Sequence, residues 1–344
     1  MKYLLGSKKD FKKFLEGIGK EDKIAILSHN DLDGISSAIF LEEILRSKGL
    51  KVDYLDFLSL SRGMFNKPIK DMKKLGITKV FVTDLNADSS DFGFEKVMEK
   101  FDYFLIDHHP FGKDIKKIKN VIKSESADCA GLVLYDLGKD YFEVEKLDWL
   151  VCSTMVSEFS FNKKENLAFL RKKYSGFNLE NIDDSKPKEI EKIIGNALNY
   201  YNPDFKKVYY LVKEKNFKEL KKTYEVVEKE LAKAIKKYKK EAKFYPDKNL
   251  FFGEVNPKFY LTSIIATILS RKEPEKTFIL VGKSSAPGML RASMRNQGGT
   301  QNVNLLARRA LKGLKDSTGG GHACAASALF RKEDLNKFKE NILK

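Results

Sequence analysis

The 344-residue sequence predicts an α/β protein of two domains, a parallel-sheet N-terminal domain and a smaller α/β C-terminal domain, joined by a helical connector. Three observations carry that expectation. Short apolar runs alternate with helical patterns in the first part of the chain, a Lys/Glu-rich helical stretch comes next, and alternation then resumes to the C-terminus. Such alternation favours strands joined by crossover helices.

Residues 23–27 (KIAIL), 52–58 (VDYLDFL), 79–83 (KVFVT) and 102–106 (DYFLI) are apolar runs rich in β-branched and aromatic residues. Their near-continuous apolar character suits strands covered on both faces. Helical patterns lie between them, as at 35–47 and 91–100. From 126 onward the pattern is helical, with buried helices expected at 130–138 and 146–160. Across 188–243, Tyr224, Val227, Leu231, Ile235 and Tyr238 recur at helical spacing, which predicts one long amphipathic helix or a helical pair. The YPDKN stretch at 245–249 ends it. A strand at 250–255, a helix at 259–271, strands at 277–282 and 288–295, a helix at 303–312, the glycine-rich STGGGHACAAS and a helix at 333–343 complete the chain. The expected limits are 1–185 for the first domain, 186–245 for the connector and 246–344 for the second domain.

No apolar run reaches the ~18–20 residues that span a bilayer, and the N-terminus turns polar too early for a signal peptide. A soluble, cytoplasmic protein with no membrane partner is expected. Cys129, Cys152 and Cys324 are too few and scattered for a disulfide framework and read as small core residues. The net charge of +16, from 64 Lys+Arg against 48 Asp+Glu, favours an anionic partner, nucleic acid first. A Lys-rich surface of the kind common in thermophiles is the plainer alternative.

The chain has four histidines, His29, His108, His109 and His322, and none sits in an ordinary context. The residues just past each predicted strand are informative. After KIAIL comes Ser28-His29-Asn30-Asp31-Leu32-Asp33-Gly34; after KVFVT comes Asp84; after DYFLI comes Asp107-His108-His109. Ligands of open parallel sheets bind beyond the carboxyl ends of the strands, so these ends would gather Asp31, Asp33, Asp84, Asp107, His108 and His109 in one crevice. So many carboxylates repel one another unless something positive sits among them. Carboxylate plus imidazole suits divalent transition metals, Mn²⁺ and Zn²⁺ among them. Two ions about 3.5–4 Å apart, bridged by a shared carboxylate, activate water against phosphorus. A single Asp after a strand reads more plainly as a turn or helix cap; three such signals at successive strand ends outweigh that reading.

The stretches HNDLDG (29–34), VTD (82–84), DHHP (107–110) and GGGHACAAS (319–327) together resemble the DHH phosphoesterase superfamily of the DHH–DHHA1 type, which includes RecJ-like exonucleases and a nano-RNase branch. The resemblance implies a DHH catalytic, metal-binding domain followed by a DHHA1 substrate-binding domain. Asp31 and Asp33 would each ligate mainly one metal, Asp84 would bridge the two and His108 would complete the second site. Asp107 and His109 would be the catalytic pair, orienting ligands or binding the scissile phosphate, with His109 a candidate proton donor. Glu158 stands about where the family usually has a further acidic ligand, commonly Asp; a solvent-facing helix residue is its plainer reading. His29 lies two residues before Asp31, whereas some branches place a ligating His four before, at Leu27 here, so His29 is either a ligand or a supporting residue. Gly319, Gly320 and Gly321 permit close backbone approach and an anion nest, with His322 beside them, in the part of the family that binds substrate; Ser327 stands where that segment often has Gly. Arg291 and Arg295 share a strand face and suit phosphate oxygens; Arg295 matches the family's substrate-phosphate arginine by position. A merely charged strand face is the alternative.

The expected activity is a metal-dependent phosphodiesterase, an exonuclease on single-stranded DNA or RNA or on short oligonucleotides that releases nucleoside monophosphates. Two divalent ions would serve it, Mn²⁺ favoured over Mg²⁺, Co²⁺ or Zn²⁺. Single-stranded nucleic acid is the expected partner, with a helicase or replication factor and a homodimer compatible with it. The alternatives are a non-catalytic DHH-fold scaffold of a replication or repair complex, and a small-nucleotide phosphatase acting on phosphoadenosine phosphate or a cyclic dinucleotide.

Overall fold

The computed structural model, which describes every residue except 89–91, 114 and 285, divides into two units, Met1–Tyr224 and Glu225–Lys344. The first unit runs β1 (Tyr3–Leu5), α1 (Lys8–Glu16), β2 (Ile24–His29), α2 (Leu32–Ser47), β3 (Val52–Leu58), α3 (Asn66–Leu75), β4 (Lys79–Thr83), α4 (Glu95–Met98), β5 (Asp102–Asp107), β6 (Val121–Ser124), α5 (Ala130–Gly138), α6 (Asp148–Ser157), α7 (Lys164–Lys173), α8 (Lys186–Tyr201) and α9 (Phe205–Lys213). Helix α10 (Phe217–Glu241) gives Leu220 to the first unit's core and Val227, Leu231, Ala234 and Tyr238 to a core of the second.

The first sheet has the order β1-β6-β5-β4-β2-β3. Its pairs are parallel except β1 on β6. Successive strand residues point to opposite faces, and both faces are buried. Ile24, Ile26, Phe81, Phe104 and Ile106 enter one core with α1, α2, α5, α6 and α8. Ala25, Leu27, Val80, Val82 and Leu105 enter the other with Ile69 and Met72 of α3 and Val97 of α4. That double cover is why these strands read as continuous apolar runs.

The topology also makes the crevice. β2 and β4 are neighbours, but α2 packs in one core and α4 in the other. The loops that leave the two strands therefore diverge to opposite faces, the condition for a ligand site at a switch point.

The structure changes several expected elements. The stretch 188–243 is three helices, α8, α9 and α10. Pro203 begins the first break, because it has no amide hydrogen to continue α8; Asn216 accepts from the Glu219 amide at the start of α10. The helix expected over 91–100 is the short α4, and residue 91 lies outside the described residues. The stretch 186–245, expected as a connector, divides between the units: Ile190, Ile193, Ala197, Val208 and Leu211 of α8 and α9 are part of the first core.

The second unit continues with β7 (Lys243–Tyr245), β8 (Leu250–Glu254), α11 (Thr262–Lys272), β9 (Thr277–Lys283), β10 (Met289–Arg295), α12 (Val303–Ala310), β11 (Thr318–Gly321), β12 (Ala325–Arg331) and α13 (Leu335–Leu343). Its sheet has the order β11-β12-β10-β9-β8-β7, with only β8 and β9 parallel. The glycine run is thus an edge strand, β11. Gly321 takes a φ of 148°, and a Cβ there would lie 2.4 Å from the Ala325 carbonyl oxygen. Cys129 and Cys152 are buried and Cys324 is half-buried, all free thiols. Among the described residues no helix is long and apolar enough to cross a membrane.

Phe104 is fully buried and meets Phe11 and Phe14 at ring-centroid distances of 5.4 and 5.3 Å. Phe104→Ala is expected to cost the first unit about 3–5 kcal/mol, read as lost hydrogen-exchange protection in β4 and β5; unchanged protection would contradict this account of the core.

Candidate metal centre

The carboxyl ends of β2, β4 and β5 carry the cluster. Ser28 and Thr83 close the floor beneath it, the Thr83 hydroxyl donating to Ser28 (2.7 Å) and Ser28 to the Gly34 carbonyl (2.7 Å). Asp31 is the N-cap of α2 and accepts from the Gly34 amide at 2.9 Å, satisfying one of the free donors of that helix end. Gly34 is required here: a Cβ would lie 2.0 Å from the His29 carbonyl oxygen. This close approach sets Asp31 and Asp33 over the strand end.

Asp84 follows β4 directly, with a φ of 59°, a left-handed conformation that Asp tolerates better than most side chains. Its amide still donates to the Ile106 carbonyl at 3.0 Å. The Asp84 side chain, 2% exposed, faces three imidazoles: Oδ1 lies 3.3 Å from His108 Nε2 and 3.8 Å from His109 Nδ1, and Oδ2 lies 3.6 Å from His29 Nδ1. His29 Nδ1 is also 2.7 Å from Asp31 Oδ2, and His108 Nε2 is 3.6 Å from Asp33 Oδ2. Two ligand groups result, His29–Asp31–Asp84 and Asp84–His108–His109, and Asp84 belongs to both.

Asp33 is fully buried in the first turn of α2. Its two oxygens accept from the Ala130 and Gly131 amides at 2.8 and 2.7 Å, so the N-terminus of α5 holds this anion. A Cβ on Gly131 would come within 2.4 Å of the Ser36 hydroxyl and 3.1 Å of Asp33 Oδ1.

Asp107 is buried and does not open to solvent. It accepts from His109 Nδ1 at 2.8 Å and pairs with Lys123 at 3.1 Å. Lys123, fully buried on β6, also donates to Asp88 (2.7 Å) and to the Pro110 carbonyl (3.2 Å). Asp88 in turn accepts from the Gly112 amide at 2.6 Å. Sequence reasoning misses Lys123 and Asp88; the one signal is a Lys inside the apolar run of VIKS. It misses the α5 amides as well, whose signal is a small-residue Cys129-Ala130-Gly131 helix start.

The electrostatics reflect burial and charge together. Burial alone would lower the His108 pKa, but Asp84 and Asp33 outweigh it and push it up to about 10. Burial would lower His29 too, and Asp31 and Asp84 overcome it, so His29 is likewise raised. Desolvation would raise Asp31, but His29 outweighs it and holds the carboxyl below its ordinary range. Asp107 is also lowered, its burial overcome by His109 and then Lys123. Burial raises Asp33, with Asp84 adding repulsion. Glu158, at the C-terminal end of α6, is raised to about 7 by burial and then by the charges of Asp31 and Asp84, so it lies within electrostatic reach of the cluster. Leu27 is core.

A cation fits this set. Asp84 Oδ2 is buried without a hydrogen-bond partner in the protein, and the donors are the carboxylates and imidazoles that Mn²⁺ and Zn²⁺ accept.

In the second unit, Arg291 is exposed and Arg295 half-buried on β10. Arg295 donates to Ser263 (2.7 Å), Thr267 (3.1 Å) and the carbonyls of Met294 (2.9 Å) and Ala326 (3.2 Å). Gly320 is in register with Ser327, which faces Ser293 across the next pairing. His322 is exposed beyond β11.

Residues 23–165 match the DHH family, N-terminal domain. No curated protein matches the chain. Solved structures share its fold. An exonuclease RecJ bound to manganese aligns at a TM-score of 0.71 and 13% identity, over 97% of this chain and 92% of that one. A DHH-domain protein described as a member of a family of ribosomal proteins aligns at 0.68 and 16%, over 97% and 88%. CDC45 from Entamoeba histolytica aligns at 0.59 and 13%, over 98% of both chains.

Two outcomes test the cluster. Because the raised imidazoles of His29 and His108 must lose protons to bind a cation, Mn²⁺ affinity should rise with pH across about pH 6 to 9, with proton release measurable by calorimetry in buffers of different ionisation enthalpy; a flat affinity would exclude these imidazoles as ligands. Lys123→Met leaves Asp88 and Asp107 buried without their cation, and a loss of about 3–5 kcal/mol in unfolding free energy is expected.

Proposed function

We propose that this chain, which belongs to the DHH phosphoesterase superfamily, is a metal-dependent phosphodiesterase that removes nucleotides from single-stranded DNA or RNA or from short oligonucleotides, releasing nucleoside monophosphates. The observation that carries this reading is the place of Asp84 between two imidazoles, His29 Nδ1 3.6 Å from its Oδ2 and His108 Nε2 3.3 Å from its Oδ1. A carboxylate so placed suits two adjacent cations, the arrangement that serves displacement at phosphorus.

Asp31, His29 and Asp84 would hold one ion; Asp33, Asp84 and His108 would hold the other, with Glu158 as a further carboxylate. When bound, the divalent ions, Mn²⁺ first, supply Lewis acidity at phosphoryl oxygens and lower the pKa of a water. The remaining chemistry belongs to the chain. The Asp107 carboxylate accepts a hydrogen bond from His109 Nδ1–H, which fixes the tautomer and leaves Nε2 to give or take a proton at the departing oxygen. Lys123 and Asp88 hold Asp107 in place. Arg291, Arg295, Gly319, Gly320, Gly321 and His322 are the substrate-binding residues of the second unit in this reading. Arg291 is the readier of the two arginines, since Arg295 already spends its donors on Ser263, Thr267 and two carbonyls. A replication factor or helicase is compatible as a protein partner.

Incubation with Mn²⁺ and end-labelled DNA and RNA of graded length tests the reading. The wild type should release mononucleotides, and Asp84→Ala should lose more than about a hundredfold in rate, beyond the 10–100-fold typical of residues that only support a ligand. Folded wild-type protein that cleaves no strand would point to a scaffold. Activity confined to phosphoadenosine phosphate or a cyclic dinucleotide would point to a small-nucleotide phosphatase.

A further inference from the structure

Helix α10 has a solvent face that neither the core nor the metal centre explains. Its buried stripe is Val227, Leu231, Ala234 and Tyr238. About half a turn away lie Lys229, Lys233, Lys236 and Lys240, all exposed, with Lys237 and Lys239 exposed on either flank. Among the described residues the four central lysines make no ion pair.

Some lysines on other helices have an acid within one turn, as Lys67 has Asp71 (2.8 Å), Lys186 has Glu189 (2.7 Å) and Lys188 has Glu191 (2.6 Å). Of the acids on α10, Glu225 lies at the start of the lysine face, four residues before Lys229, and Glu228, Glu230 and Glu241 lie to its sides. Glu230 accepts from the Lys258 amide at 2.9 Å, and Glu241 pairs with Lys237 at 3.8 Å. The open face is left with like charge at i, i+3 and i+4, which destabilises a helix on its own and is relieved by a polyanion. A membrane surface does not suit it, because the apolar face that would enter lipid is buried inside the second unit.

We propose that Lys229, Lys233, Lys236 and Lys240 form a docking track for the phosphate backbone of single-stranded nucleic acid. The row spans about 16 Å along the helix and is one charge wide, which fits one backbone. It carries no aromatic side chain for base stacking, so recognition is independent of sequence. The track rests on the phosphodiesterase reading only in naming how that activity holds longer strands.

The test uses the full chain in an Asp84→Ala background, which prevents cleavage, and a fluorescent oligothymidylate long enough to cover the helix. The salt dependence of binding is compared with and without the combined substitutions Lys229→Gln, Lys233→Gln, Lys236→Gln and Lys240→Gln. The slope of log K against log salt should fall by about 3, about 0.7 for each lysine on a single strand. Removing four exposed lysines elsewhere, Lys9, Lys12, Lys13 and Lys20, should leave the slope unchanged. In the active chain, the track variant should raise KM for a long strand and leave a dinucleotide unaffected. An unchanged slope, or an equal fall in the control, overturns the track whether or not the enzyme cleaves. A fall confined to the track variant, with no cleavage by the wild type, supports the track and overturns the phosphodiesterase reading.

Discussion

The first unit depends on how one buried carboxylate is balanced. Asp84 is almost without solvent and has three imidazoles around it, with Asp33 and Asp107 buried nearby. Anions cannot collect in a low-dielectric site without countercharge. Protonated His29 and His108 supply it when no cation is bound, which is why both are raised. A divalent ion would supply it more strongly but must displace those protons. Folding and metal binding thus draw on the same charges, and the raised imidazoles are the sign of that competition.

The backbone is fitted to the same end. The α2 start packs on β2 only because residue 34 has no side chain, and the α5 start reaches Asp33 only because residue 131 has none. With each helix N-terminus placed against a carboxylate, amides offset part of the repulsion before any cation arrives. The positive φ of Asp84 turns its side chain away from the direction a continuing strand would give it.

Much of this is legible in the sequence, for physical reasons. Central strands covered on both faces leave long apolar runs, so β2, β4 and β5 and the acidic groups beyond them can be read directly. Strands β1 and β6 cannot, since three or four residues carry too little pattern. β11 is hidden because TGGG has no side chains to alternate. The break of the 188–243 stretch is legible in Asn202-Pro203, but the apolar spacing on either side is the stronger signal and masks it. Lys123 is illegible in a different way: a lysine in a strand normally points to water, and only the fold reveals that Asp88 and Asp107 meet it. Arg295 can be read from its position, but its bonds to α11 and β12 depend on tertiary packing that spacing cannot disclose.

The adjacent histidines are not equivalent, and strand geometry explains the difference. Successive residues leaving a strand point in opposite directions, while i and i+2 share a side. Asp107 and His109 are therefore on the same side and bond to one another, and His108 turns instead toward Asp33 and Asp84. One imidazole has its Nδ1 on Asp107 and, among the described residues, no partner at Nε2, which suits proton transfer. Its neighbour has Nε2 among the acidic groups, which suits ligation. Had the two been separated by one more residue, both would share a side and one of these partners would go unmet. Adjacency is what lets a single strand end face both the Asp33 and Asp84 carboxylates and the buried Asp107.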